Sequence, residues 1–329
     1  MFQELLNECE GAKSIILGNG FGISFDIAMG QNNFNWRSLL DLCDILPSSQ
    51  LYRVLSENKF DFELAHQKLN HAIDILNLYT PESPLIILLE EQIQYLRQQL
   101  IVAVGASHPP SFVQQRTQRE REQLNQRVSN CRTFLSTFDK VFSLNYDLLL
   151  YWVRCYRHPN LGRDSFTRVG DDLAFIPNDN ANFFFPHGSL FIYRDGISAI
   201  KSASSLDNPI LARLEENIRN GRFPMCISEG TGLQKLKEIQ KNSYLLYSYN
   251  KIKESTGSIF TFGCSFLDNK DSHIIEAMCR SQATRIVVGE FRPDEAARSR
   301  LVHEFARVQA ELRTNKTIVI ANSDGTQIW

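Results

Sequence analysis

Short, unbroken apolar runs that end abruptly in glycine, serine or asparagine recur along this chain. Ser14 to Leu17 breaks into Gly18-Asn19-Gly20-Phe21-Gly22, and Val141 to Leu144 ends in Asn145-Tyr146-Asp147. Pro224 to Ile227 ends in Ser228-Glu229-Gly230-Thr231-Gly232, and Ser258 to Phe262 in Gly263-Cys264-Ser265. Four or five apolar residues without alternation suit a strand buried on both faces of a parallel sheet. Arg285 to Val288 and Thr317 to Ile320 supply the last such runs, with a helix from Pro293 to Arg313 between them. Asn182 to Tyr193 reads as two short strands around a turn that carries His187. Strands alternating with helices in this way predict an α/β fold with a Rossmann-like, doubly wound parallel sheet.

From about 36 to 137 the period changes to three and four. Trp36, Leu39, Leu40, Leu42 and Cys43 share one helical face, as do Leu64, Leu69, Ala72, Ile73 and Leu76, then Leu88, Leu89, Ile93 and Leu96. Pro81 with Pro84, and Pro109 with Pro110, divide the stretch into separate helices. His66 and His71, five positions apart, fall on different faces and read as surface residues. The last helix buries Leu124, Val128, Cys131, Leu135 and Phe138. The expectation is one domain over 1–329 in which 36–137 is a helical insertion capping a nucleotide cleft. The Gly-, Asp- and Asn-rich passage from about 159 to 182 reads as loop.

Composition narrows the setting. With 329 residues, 43% of them hydrophobic and 22% charged, and a formal net charge of −2, the chain has the makings of a substantial core. Its acidic start lacks the apolar centre of a signal peptide, and no apolar run reaches the roughly 18 residues of a membrane span. The expected address is the cytoplasm, with no membrane partner. The 7 cysteines form no CxxC pair and read as buried filler. Charge is uneven: 1–110 holds 6 Lys and Arg against 13 Asp and Glu, and 111–170 holds 10 against 5. The basic excess alternates with Glu and Gln on one helix, which suits a solvated face rather than a nucleic-acid site.

Glycines after a buried strand let backbone amides approach a pyrophosphate, and polar strand ends lie where open α/β sheets bind ligands. The third glycine falls at Gly22 rather than 23, so the full dinucleotide fingerprint is absent. The set resembles the sirtuin-like superfamily, whose pattern runs GAGxS, Trp followed by two leucines, Asn-x-Asp, His-Gly and Gly-x-Ser. The matching positions are Gly18 to Gly22, Trp36 to Leu40, Asn145 to Asp147, His187-Gly188 and Gly263 to Ser265. More closely, the chain resembles a bacterial branch marked by GNGF and SEGT.

That resemblance implies a hydrolase that consumes NAD as its substrate, an NADase releasing nicotinamide and ADP-ribose, and a setting in antiviral (antiphage) defence. It implies Asn145 orienting the ribose or the attacking water, Asp147 on the nicotinamide carboxamide and His187 as general base. The cofactor-binding set it implies is Gly18, Asn19, Gly20, Phe21 and Gly22 with Ser24, Asp26 and Trp36, then Gly263 and Ser265 against the adenosine half. Glu229 and Asp268 would take ribose hydroxyls. The superfamily's serine is Gly22 here, with Ser24 as stand-in, and the CxxC zinc module of sirtuin deacylases is missing. Its loss disfavours a protein deacylase. The alternatives are a sensor that binds NAD or ADP-ribose without cleaving it and a helical interaction protein, each leaving room for a homo-oligomer or a regulatory protein partner. No metal is expected, because Asp271 and His273 have no third ligand at a telling spacing.

Overall fold

A computed structural model of the chain describes residues 1–32, 43–58, 62–107, 117–156, 159–169, 172–202, 210–220, 222, 224–227, 231–266 and 271–329. Its strands are β1 (Lys13–Leu17), β2 (Lys140–Ser143), β3 (Phe166–Val169), β4 (Asp172–Phe175), β5 (Phe183–Phe184) and β6 (Gly188–Asp195). They continue with β7 (Ser198–Lys201), β8 (Pro224–Cys226), β9 (Ser258–Phe262), β10 (Arg285–Glu290) and β11 (Thr317–Asn322).

The fold is α/β, and its main sheet is wholly parallel, in the order β11-β10-β9-β1-β2-β5. Counted along the chain among the parallel strands alone, that order is 3-2-1-4-5-6 read from β5, the Rossmann arrangement. The order reverses between β1 and β9, so the crevice where such sheets take ligands opens beyond Leu17 and Phe262. Ile15, Ile16, Val141, Phe142, Ile259, Phe260, Ile286, Val287 and Val288 are fully buried, which is why their runs show no alternation. Each contributes about 1.5–3 kcal/mol through burial.

A second sheet, which the sequence pattern does not predict, is antiparallel in the order β3-β4-β7-β6-β8. It corrects two expectations. The stretch 159–182 is not simply loop but carries the β3–β4 hairpin, whose short apolar run Leu173 to Ile176 is set among the glycine, aspartate and asparagine of a loop. The run from Pro224 forms β8 beside β6 rather than a strand of the parallel sheet. Pro224 stands at the first residue of β8, where a missing N–H is tolerated. Asp164, just ahead of β3, ties helix Leu149–Cys155 to β7: its carboxylate pairs with Arg154 and Lys201, all three side chains under 9% exposed. Burial alone would raise the Asp164 carboxyl, but Lys201 and Arg154 hold it below its ordinary value.

The inserted helices Gln50–Glu57, Phe62–Tyr79 and Pro84–Ser107 share a small core of their own around Ile45, Leu51, Leu55, Leu69, Ile93 and Leu96. The insertion ends sooner than expected. Helix Gln118–Leu135, opened by a Thr117–Glu120 capping box, lays Leu124, Val128, Cys131 and Leu135 into the main core. His71 is exposed as expected, but His66 is half-buried and meets Asn70 and Arg97. None of the 7 cysteines is in a disulfide, and Cys9, Cys131, Cys264 and Cys279 are buried. Among the described residues, no helix is long and apolar enough to cross a membrane.

Candidate functional site

The crevice is built on glycine. Past the ends of β1 and β9 the two chains continue in contact: the Gly18 amide donates to the Phe262 carbonyl and the Gly20 amide to that of Gly263. A Cβ on Gly18 would lie 2.4 Å from the Gly263 oxygen, and one on Gly20 would lie 2.5 Å from the Gly263 Cα. Gly263 itself has φ +69°, which L side chains rarely adopt. Helix Gly20–Met29 starts at this seam and is closed by Gly30 in the left-handed conformation. Of its first amides, Gly20 is taken by Gly263 and Phe21 by Gly18. The two that helix geometry leaves for a ligand are those of Asn19 and Gly22.

Asn145 meets this seam directly. Its buried side chain donates from Nδ2 to the Gly18 carbonyl at 2.9 Å. The residues around it are sewn to the second sheet: Leu190 N–H and Ser189 Oγ both donate to the Tyr146 carbonyl, and Tyr146 Oη donates to the Ile227 carbonyl. Asp147 turns back to accept from the Leu149 amide at 2.8 Å. Burial pushes its carboxyl up to about 6, against the Leu149 bond, and the nearby Asp26 carboxylate adds to the rise.

His187 occupies the crossover from β5 of one sheet to β6 of the other. Gly188 makes the turn at φ +81°, with the Met225 carbonyl 1.9 Å from where a Cβ would stand, so only glycine fits. The His187 carbonyl accepts from Ile227, and its ring bonds the Leu144 main chain beside Asn145. The other face of the site comes from the start of helix Ser272–Cys279. His187 Nε2 lies 2.8 Å from His273 Nε2, and Lys235 Nζ lies 2.9 Å from Asp271 Oδ1. Ligand atoms of His187, Asp271 and His273 all stand within 4.8 Å of one another. Burial lowers His187 to about 4 and His273 to about 2, each opposed by Asp271, so both rings are neutral near pH 7. Burial works against the Asp271 carboxylate, but His187 and Lys235 hold it below its ordinary value.

A family model described as Domain of unknown function (DUF4917) matches residues 15–329. The chain belongs to that family. No curated protein matches it at a significant level. The DUF4917 match begins inside β1 and runs through Trp329, so both sheets, the inserted helices and the whole candidate site fall within one family domain.

Within that DUF4917 domain, Gly18, Gly20, Asn145, Asp147, His187 and Gly263 gather at one end of the parallel sheet. Exposed Ser265 stands two positions after Gly263, ahead of Phe266, a buried non-glycine residue at φ +47°. Ser24 faces elsewhere: its hydroxyl donates to the Phe21 carbonyl and accepts from Trp329 Nε1 at 2.8 Å. Asp26 is buried on the same helix, beside Asp147 rather than on the glycine seam. Trp36, Glu229 and Asp268 lie outside the described residues. Lys235 carried no role in the sequence-based expectation, and His273 entered only with Asp271 as a metal pair set aside for want of a third ligand, because spacing cannot show that residues 36 and 86 positions from their partners converge. Beside Asp271 and His273 the fold sets a third polar group that no spacing in the sequence reveals, the His187 ring.

Proposed function

We propose that the chain is an NAD glycohydrolase of the sirtuin-like kind. The observation that carries this reading is the meeting of the Gly18–Gly20 and Gly263 backbones with Asn145 and His187 at the sheet's topological switch point. A dinucleotide laid there would place its pyrophosphate at the amides of Asn19 and Gly22, at the positive end of helix Gly20–Met29.

The chemistry is then light. The bond from ribose C1′ to the pyridine nitrogen breaks, its electron pair returning to the ring so that nicotinamide leaves neutral, and the ribose passes through an oxocarbenium-like state. Water adds to C1′ and its proton passes to a base. Asn145, held by one N–H to Gly18, keeps its carboxamide oxygen for the ribose or the water. Asp147 would face the nicotinamide carboxamide. His187 is neutral and keeps a lone pair, as a base must, but Nε2 faces His273, so water has to take the place of His273 before it can react.

The test is nicotinamide release from NAD, with binding measured separately by calorimetry. His187→Ala and Asn145→Ala should each slow release by about 100-fold or more while NAD affinity changes little. The double variant should be scarcely worse than either single one, since both act on one step. The second reading, a sensor of NAD or ADP-ribose, is favoured by one observation: both ring nitrogens of His187 are engaged by protein. Wild-type protein that binds NAD and releases no nicotinamide, even with its natural partners present, would establish the sensor in place of the enzyme.

A further inference from the structure

Beside the glycine seam lies a group of which base catalysis calls for His187 alone. His187, Asp271 and His273 come from two separate elements and point their polar atoms into one small volume. Both imidazoles are about 2% exposed. Their planes are inclined by only 20° with centroids 5.0 Å apart, close to the 2.8 Å nitrogen separation plus the two ring radii. The rings therefore meet nitrogen to nitrogen, edge on, rather than face to face. A shared proton would occupy two groups, and here a third, the Asp271 carboxylate, stands beside them without a hydrogen bond to either ring among those seen.

We propose that His187, Asp271 and His273 bind one divalent transition-metal ion of the zinc, cobalt or iron(II) kind. Two imidazoles and a carboxylate are the donor set such ions take, with a further position left for water or substrate. In a tetrahedral site with metal–nitrogen bonds of about 2.0–2.1 Å the two nitrogens stand about 3.3 Å apart, so about half an ångström of ring movement admits the ion. Among the described residues the buried His273 Nδ1 has no partner, so no hydrogen bond seen on that side resists the movement.

The surroundings hold His187 and Asp271 as metal sites require, while the His273 residue is held through its main chain and not through its ring. The His187 ring is tied to the Leu144 main chain, and the His273 carbonyl accepts from Tyr249 Oη at 3.0 Å. Lys235 fixes Asp271 Oδ1 and leaves Oδ2 for the ion. The buried Lys235 ammonium also opposes a second positive charge, which favours an ion carrying an anionic ligand such as hydroxide. This inference does not need the NAD reading, but the two share an atom: an ion on His187 Nε2 occupies the lone pair that a general base would use.

The test uses the full chain with any purification tag removed, titrated with Zn²⁺ by calorimetry and with Co²⁺ by visible absorption, in the absence of NAD. One ion should bind per chain, and Co²⁺ should give the intense bands of a four-coordinate site. His273→Gln and Asp271→Asn, both close in shape to the native residues, should each weaken binding beyond the 10–100-fold typical of a lost outer-shell partner. Circular dichroism and melting verify that each variant is folded, and the pair guards against one of them failing. Wild-type protein that takes up no ion would overturn the proposal and leave the two histidines sharing a proton. Binding that survives unchanged in both folded variants would overturn it too, by placing the ion elsewhere. Neither result depends on whether NAD is cleaved.

Discussion

The two halves of the site hold together by different physics. On the β1–β9 side, backbone meets backbone: Gly18, Gly20 and Gly263 approach so closely that no Cβ fits. On the β6 side, charged and polar side chains from far-apart positions, His187, Lys235, Asp271 and His273, are gathered out of water. The seam is a matter of shape, set within a few residues of each strand end. The cluster is a matter of desolvation and pairing, and it exists only once two sheets and two helices have assembled. A seam of this sort fails when an atom is added, whereas a cluster fails when a partner is removed.

The sharpest way to break the contrast is at Gly263. An alanine there must hold φ +69°, at about 1–2 kcal/mol, and force its Cβ against Gly20, at about 1–3 kcal/mol more. Gly263→Ala should therefore lose about 2–5 kcal/mol of unfolding free energy in a denaturant titration. Gly11 is the control: it has φ +80° with nothing within 4 Å of a Cβ, so Gly11→Ala should show the backbone cost alone. Equal losses at the two positions would mean that the seam is looser than its distances imply. The same geometry revises what Gly20 is for, since a side chain at Gly20 strikes the Gly263 backbone before any ligand.

This division also explains what was legible in the sequence. The parallel strands at Ser14, Val141, Ser258 and Arg285 could be read because burial on both faces leaves an unbroken apolar run, and the edge strand at Thr317, though only half-buried, keeps such a run in Ile318, Val319 and Ile320. Glycine at the strand ends was legible for a similar reason, since few other residues tolerate such an approach. The antiparallel sheet was not, because β3 and β4 are four residues each, β3 is exposed beyond Phe166, and the short apolar run of β4 lies among loop-forming residues. His187 was legible as a turn residue beside Gly188. Its partners were not, because Lys235 and His273 sit on amphipathic helices where their types are unremarkable, and only tertiary packing turns them inward.

Asp147 stands between the two regions and gives a smaller, pH-dependent effect. Its carboxyl titrates at about 6 in the fold against an ordinary 3.8, so the native state prefers it protonated. Relative to the protonated state, stability is lost as pH rises from about 4 to 6, and the loss is complete above 6. Asp147→Asn keeps an acceptor for the Leu149 amide and removes the charge facing Asp26. The variant should melt higher than wild type above pH 6, and the gap should close below pH 4. A variant that melts lower at pH 7 would mean that the ionised carboxylate has a cationic partner and belongs with the paired cluster instead.

The smallest expected effect lies on the far side of the seam's own helix, at Ser24. Its hydroxyl accepts from the indole of Trp329, which packs against Phe21 and Phe25 with ring centroids 4.9 Å from each. Ser24→Ala strips a buried N–H of its acceptor, a cost of about 1–3 kcal/mol, and returns about 0.5 kcal/mol in helix propensity. The net loss should be about 1 kcal/mol, seen as a modest drop in melting temperature. Trp329→Phe should relieve it: in that background the Ser24→Ala penalty should vanish, because no donor is left to be stranded. NAD affinity, measured in parallel, should not change, since the hydroxyl is turned to Trp329 and not to the amides of Asn19 and Gly22. A loss of affinity without a loss of stability would instead put Ser24 back in the ligand's reach, as the missing serine of the glycine turn.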